Sequence, residues 1–295
     1  MSFPRAVVLG ATGQLGSALL SLLPKSGFEP IGLNRHEANL SKPESLVFVL
    51  EKARPQWVIN AAAFTDVAGA EKQESLATII NGKAPEVMAR WCAQRRIPFI
   101  MYSTDYVFSG SSQNPYGETD MTGPLNAYGR SKLAGDLALA RIEGQWMNFR
   151  TSWIYAEEGK NFLLTMLKLG TEKELLKVVS DQIGAPTYAR DLAWGTIKAI
   201  TFADKAKVFP TGIYNMCNSG ETSWFGFAQE IFALANVKGG PLKIKEVAPV
   251  LTKDYANPVT RPLNSRLSLI KLSNTFDIKM RHWRQALSDC MERVP

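Results

Sequence analysis

The sequence predicts an α/β protein, a doubly wound parallel sheet with a smaller C-terminal domain. Three observations carry this. Short apolar runs alternate with longer segments of helical character from residue 5 to about residue 150. A turn with glycine at every third position joins the first run to the first helical segment. After Arg150 the alternation gives way to irregular, proline-bearing stretches. Strands buried on both faces read as near-continuous apolar runs, and strand–helix alternation with short connections winds them into a parallel sheet.

The first strand is Arg5–Leu9, and the turn after it holds Gly10, Gly13 and Gly16. Glycine admits a tight turn and lets backbone approach a pyrophosphate, while a helix N-terminus offers amide donors and a positive dipole. With a strand before and a helix after, the spacing predicts a Rossmann-type dinucleotide site. A second strand, Glu29–Leu33, ends at Asn34 and Arg35. Sites for NAD carry an acid here for the ribose 2′-hydroxyl, whereas a nearby arginine accommodates a 2′-phosphate. The acid is absent and Arg35 is present, so NADPH is expected, with NADH possible.

A helix over 43–53 leads to a strand over 56–63 that empties into Ala61, Ala62 and Ala63. Small residues at a buried strand end suit the close approach of a flat cofactor. One helix is expected over 75–95 with Asn81 inside it, and then a strand over 98–103 delivers Thr104. Open parallel sheets bind ligands at that carboxyl end. A further strand is expected over 148–155. The chain divides into 1–150, the dinucleotide-binding part, and 151–295, mainly substrate-binding and interleaved with late strands of the sheet.

Tyr128 and Lys132 stand four residues apart in a helical stretch, so phenol and ammonium project from one face. An ammonium beside a phenol favours the phenolate and lowers its pKa from the usual value of about 10. Such a tyrosine is a proton donor usable near neutral pH, and a hydroxyl such as that of Thr104 helps orient a carbonyl oxygen.

Composition narrows the class. A hydrophobic share of 45% and a charged share of 21% are ordinary for a globular protein, and 295 residues bury a large core. No apolar run approaches the roughly 20 residues of a membrane span. Residues 1–5 lead directly into the first strand without a secretory signal, so a cytoplasmic protein is expected. Three widely spaced cysteines and two histidines give no disulfide framework, and leave little material for a metal site or a Ser-His-Asp triad. The net charge of +7 is scattered rather than blocked, which argues for steering of phosphate-rich small molecules and against nucleic acid.

With these motifs in order the chain resembles the extended short-chain dehydrogenases/reductases. Longer strings are similar to the dTDP-4-dehydrorhamnose reductase family within them: 13–16 (GQLG), 103–108 (STDYVF), 124–135 (PLNAYGRSKLAG), 150–155 (RTSWIY), 181–187 (DQIGAPT) and 261–267 (RPLNSRL). The resemblance covers nearly the whole chain. It implies reduction of a small-molecule substrate, dTDP-4-dehydro-L-rhamnose, at C4 to give dTDP-L-rhamnose, a cell-surface polysaccharide precursor. It implies that Tyr128 protonates the C4 oxygen, Lys132 holds the nicotinamide ribose and tunes Tyr128, and Thr104 hydrogen-bonds the reacting oxygen. Cofactor contacts are implied at Gly10, Gly13, Gln14, Leu15, Gly16, Asn39, Leu40, Ala63, Thr65 and Tyr102, beside Tyr128 and Lys132. Asn34, Arg35, Ala61 and Ala62 complete that expected set. On the substrate side Val67, Asp105, Trp153, Arg261 and Asn264 join Thr104 and Tyr128, with arginine suited to a diphosphate.

Some relatives bridge a dimer through magnesium held by glutamates, one of them on the first helix. Residues 17–20 offer no carboxylate, so no metal is expected, and the chain is a monomer or a homodimer. Asn34 and Asn39 stand where many relatives carry aspartate. Alternatives to the implied reaction are a reductase of another nucleotide-linked 4-keto-6-deoxy sugar, or a non-catalytic subunit like the regulatory subunit of methionine adenosyltransferase. An epimerase or dehydratase is disfavoured because Asp105 is followed by Tyr106 rather than a second carboxylate.

Overall fold

Six strands form one parallel sheet in the computed structural model, which describes residues 3–256 and 258–294. Met1 and Ser2, at the start of the expected dinucleotide-binding part, lie outside the described residues, as do Asn257 and Pro295. In chain order the strands are β1 (Arg5–Leu9), β2 (Glu29–Leu33), β3 (Trp57–Asn60), β4 (Phe99–Thr104), β5 (Trp146–Thr151) and β6 (Gly212–Asn215). Their spatial order is β2-β1-β3-β4-β5-β6, and each neighbouring pair runs parallel. The chain leaves β1 to one side for β2, then crosses to the other side for β3. That reversal opens a crevice beyond the carboxyl ends of β1 and β3, where ligands of open parallel sheets bind.

Side chains alternate across a strand, and β1 shows how this builds two layers. Ala6 and Val8 face a cluster with Leu15 and Leu19 of the helix Gln14–Leu22 and with Leu192 and Ile197 of the helix Ala189–Lys205. Val7 and Leu9 face the opposite layer, where Leu46, Leu50, Met88 and Trp91 pack from the helices Ser45–Ala53 and Ala84–Gln94. Each of the valine, leucine, isoleucine and methionine side chains, fully buried, contributes about 1.5–3 kcal/mol. A third cluster, with Leu163, Met166, Phe227, Ile231, Trp283 and Leu287, is built wholly from residues after 150.

Three expected elements differ in outline. The strand over 56–63 is the shorter β3. In place of one helix over 75–95 there are three consecutive segments, Glu74–Thr78, a π-helical turn Ile79–Lys83, and Ala84–Gln94. Pro85 has no N–H to return to the carbonyl of Asn81, so the α pattern cannot close there. The strand over 148–155 breaks after β5. Its continuation, Ile154–Tyr155, pairs with Thr187–Tyr188 instead, and Trp153 at the break is left-handed with φ of 48°.

Candidate active site

The carboxyl ends of the parallel strands share one edge, and the expected residues collect along it. Gly10 leaves β1 with φ of 79°, and its N–H donates to the Leu33 carbonyl at 2.9 Å, tying the turn to the end of β2. A Cβ on Gly10 would come 2.8 Å from the Ala62 nitrogen, and one on Gly16 would overlap the Gly10 carbonyl. Only glycine fits either place. Gly13 caps the helix Gln14–Leu22 with no side-chain acceptor, so the first-turn N–H groups are left for an anion. This cradle and its donors fit a dinucleotide pyrophosphate.

At the end of β2 the Asn34 Oδ1 accepts from the His36 N–H at 2.8 Å, which turns the chain and leaves Arg35 exposed. Arg35, His36, Asn39 and Lys42 line a groove of about 580 Å³. Its cations suit a ribose 2′-phosphate. The Asn39 Oδ1 is taken up by the Ser41 N–H and hydroxyl at 3.0 and 2.8 Å, and Leu40 is buried. Ala61, Ala62 and Ala63 are half-buried after β3, and Thr65 is exposed beyond them. Val67 opens the helix Val67–Lys72, which Asp66 caps.

Asn81 is the positioning residue that sequence reasoning noted but gave no part. Its Nδ2 donates to the Phe64 carbonyl at 3.0 Å and to the Ser131 hydroxyl at 2.9 Å, while its Oδ1 accepts from the Phe64 N–H at 2.8 Å. It thus clamps the loop after β3 to the helix Ala127–Ala140. The signal was an asparagine followed by glycine and, three residues later, Pro85 inside a helical stretch.

Asn126 and Glu71 fix the start of that helix by accepting from the N–H groups of Gly129 and Ala127 at 2.8 and 2.7 Å. Tyr128 therefore lies in its first turn, edge-on to Tyr106 with ring centroids 5.5 Å apart. Thr104 ends β4 beside Tyr128, with its hydroxyl donating to Asp105 Oδ1 at 2.9 Å. Lys132, one turn on, is buried and donates from Nζ to the Tyr102 carbonyl. The Tyr102 ring is in the core and its hydroxyl meets Thr196 at 2.9 Å, so only its backbone faces the site.

The expected lowering of Tyr128 by Lys132 is not what this arrangement gives. Burial pushes the Tyr128 phenol up, the Thr104 hydroxyl offsets part of this, and the charges of Asp105, Tyr106 and Asp136 add to it. The Lys132 ammonium is directed at the Tyr102 carbonyl, and burial lowers it to about 8 against the pull of Asp136. Tyr128 is thus held as a neutral phenol, the species that can give a proton to a developing alkoxide.

Asp105 is buried, and desolvation raises it to about 6 despite the hydroxyls of Ser265 and Thr104. Its Oδ2 has no hydrogen-bond partner among the described residues. Arg261 lies against the Tyr106 hydroxyl, and its Nε is likewise buried without a partner among the described residues. Asn264 is differently placed. Its Nδ2 donates to the carbonyls of Ser112 and Asn114, both at 2.8 Å, and its Oδ1 accepts from Arg266. Its amide holds a loop and is not free for a ligand. Trp153 stacks on Trp224, and its left-handed backbone stores about 1–3 kcal/mol of strain.

Sheet order and glycine cradle define a Rossmann-type dinucleotide-binding protein, with Thr104, Tyr128 and Lys132 brought together at its ligand-binding edge. Residues 5–295 match the family model described as the RmlD substrate binding domain, and the chain belongs to that family. It is 45% identical over 294 residues to a dTDP-4-dehydrorhamnose reductase of Burkholderia thailandensis, covering 97% of this chain and 98% of that protein. A crystal structure of dTDP-4-dehydrorhamnose reductase from Bacillus anthracis in complex with NADP superposes with a TM-score of 0.90 at 33% identity, covering 98% of this chain and 99% of that one. A UDP-glucose 4-epimerase from Brucella ovis shares the fold at a TM-score of 0.80, 18% identity, and 97% of each chain.

Proposed function

We propose that the chain reduces the C4 ketone of dTDP-4-dehydro-L-rhamnose to dTDP-L-rhamnose with NADPH. The observation that carries this is the joining of Thr104, Tyr128 and Lys132 at the sheet edge where the glycine cradle opens. The reading is supported by relatives and by a similar NADP-bound structure that bear this activity's name. When bound, the dihydronicotinamide supplies the hydride.

The rest is done by side chains. Gly10, Gly13, Gly16 and the N–H groups from Gln14 onward hold the pyrophosphate, and Arg35 with Lys42 meets the 2′-phosphate. Thr104 orients the C4 oxygen and Tyr128, kept neutral by its surroundings, gives that oxygen its proton. Lys132, anchored on the Tyr102 carbonyl, places a positive charge beside the tyrosinate that results and beside the nicotinamide ribose. The unpartnered Asp105 Oδ2 accepts from a sugar hydroxyl, and the free Nε of Arg261 faces the diphosphate. Trp153 and Val67 border the sugar nucleotide, and Asn264 supports the Arg261 segment through the 112–114 loop. In this division residues 1–150 serve the cofactor, and 151–295 mainly serve the substrate while lending β6 to the sheet. The reading makes the protein cytoplasmic, where nucleotide sugars and reduced nicotinamide are held; among the described residues no helix is long and apolar enough to cross a membrane.

The test is loss of nicotinamide absorbance with NADPH and dTDP-4-dehydro-L-rhamnose, NADH alongside. Tyr128→Phe should lower kcat by about 10²-fold or more while NADPH still binds, the scale of a lost positioned acid. Near-normal turnover in that variant would remove Tyr128 from its role. An inactive wild type that still binds dTDP and NADPH would turn the reading towards a non-catalytic subunit.

A further inference from the structure

The indoles of Trp153 and Trp224 lie flat on one another, ring centroids 3.7 Å apart and planes 13° apart. Neither ring finds this arrangement by itself. On the first side, the Ser152 hydroxyl donates to the Ala185 carbonyl at 3.0 Å, and the Thr187 N–H donates to the Trp153 carbonyl at 3.1 Å. These bonds bracket the left-handed residue. On the second side, Thr222–Ser223 pairs antiparallel with Ile183–Gly184, and Ser223 then caps the helix Trp224–Val237, accepting from the Gly226 N–H at 3.0 Å. One short segment, 183–187, therefore sets the register of both tryptophans. Gly184 is its contact point, since a Cβ there would come 2.8 Å from Trp153 Cε2. Phe162 packs on Trp224 with centroids 4.6 Å apart.

A bulky residue persists at positive φ only where its surroundings over-determine it, and such residues gather at functional sites. Trp153 is two residues past Thr151, the β5 residue registered with Thr104. Its Nε1–H has no acceptor among the described residues, yet it is not a buried orphan.

We propose that Trp224 is a positioning residue for the sugar nucleotide, covering one face of Trp153 so that the indole meets the substrate with its other face and its N–H edge. This rests on the reductase reading above. A ring already stacked need not be ordered when the ligand arrives, and that preorganisation appears in substrate affinity rather than in hydride transfer.

The experiment is steady-state kinetics with dTDP-4-dehydro-L-rhamnose and NADPH on Trp224→Leu and Trp224→Phe. Leu keeps an apolar side chain and removes stacking. It should raise KM for the sugar nucleotide about tenfold, the affinity equivalent of an aromatic pair, and leave kcat and NADPH affinity nearly unchanged. Phe keeps a stackable ring and should recover most of that loss. The exciton-coupled circular dichroism of two stacked indoles should vanish in Trp224→Leu and in Trp153→Phe. A purely structural Trp224 would lower the melting temperature, leave KM where it was, and be rescued no better by Phe than by Leu; that outcome overturns the proposal. If Trp224→Leu does not fold, Trp224→Met carries the test, because a flexible apolar chain can follow the indole's path against Phe162 while still removing the stack. KM should rise there too, and an unchanged KM overturns the proposal. A wild type inactive on the keto sugar removes the reductase reading alone, and the stack is then judged by the same variants' affinity for dTDP.

Discussion

Asp105 is a buried carboxylic acid, and its pH behaviour follows from that. Its folded value is raised from 3.8 to about 6, first by desolvation. A raised folded value means that the folded protein binds the proton more tightly than the unfolded chain. The stability this contributes is complete below about pH 4 and is lost as pH rises through about 6. Asparagine does not titrate, so the stability of wild type minus that of Asp105→Asn should fall by about 2 kcal/mol between pH 4 and pH 7. Denaturant titrations of both proteins across that range measure it, and a difference that stays flat would show that Asp105 is not desolvated as described. The groups that face it are Tyr106 beside it, Tyr128 from the helix, Cys217 after β6 and Ser265 from the C-terminal segment. Among these only Asp105 titrates between pH 4 and 7, since burial holds Tyr106 and Cys217 near 12 and Tyr128 higher still.

At the scale of elements, the glycine turn is the part whose geometry leaves least choice. Gly16→Ala would drive a Cβ into the Gly10 carbonyl, so the turn or the helix must shift. Such overpacking costs about 1–3 kcal/mol, and the variant should fold with a lowered melting temperature. Its NADPH dissociation constant, followed by nicotinamide fluorescence, should rise tenfold or more, because the displaced N–H groups are those proposed to hold the pyrophosphate. Unchanged binding would place the pyrophosphate elsewhere. That turn was legible in the sequence because its rule is local: a strand, glycines at fixed spacing, a helix. The apolar runs of β1 to β5 were legible for the same reason. The π turn at Ile79–Lys83 was not, because the fate of the Asn81 carbonyl freed by Pro85 depends on Gly135 of a distant helix. The break at Trp153 was hidden likewise, being held by 183–187 and Trp224. The motif string named Asn264, yet only the folded chain shows its amide spent on the 112–114 loop.

The whole molecule is joined through a buried ion pair between β5 and the helix Ala127–Ala140. Arg150, last but one in β5, donates from Nε to Asp136 Oδ2 at 2.9 Å, with both side chains almost wholly shielded at 3% and 1% exposure. Asn148 donates to the other Asp136 oxygen at 2.8 Å, so the carboxylate is satisfied on both sides. The guanidinium continues to the Glu118 carbonyl, and Glu118 Oε1 accepts from the Asn215 N–H of β6 at 2.8 Å. Asn215 in turn donates to the carbonyls of Tyr116 and Ser268, which reach the C-terminal segment. The network thus links the Tyr128 helix, two strands, the 116–118 loop and residues near 268, ranges that lie on both sides of residue 150 in the chain. Asp136→Asn leaves the Arg150 charge buried without its counter-ion. Removing one member of such a pair costs about 3–5 kcal/mol, because the remaining charge is uncompensated in a low dielectric. The prediction is a loss of that size by urea denaturation. If the network makes the two sides one cooperative unit, far-UV and near-UV circular dichroism should give coincident transitions in the wild type. In Asp136→Asn the near-UV signal, which reports aromatic packing throughout the chain, should move together with the far-UV signal to lower urea. Separate transitions in the wild type, or a cost below about 1 kcal/mol in the variant, the range of an exposed pair, would mean that the two parts fold independently and that this pair does not join them.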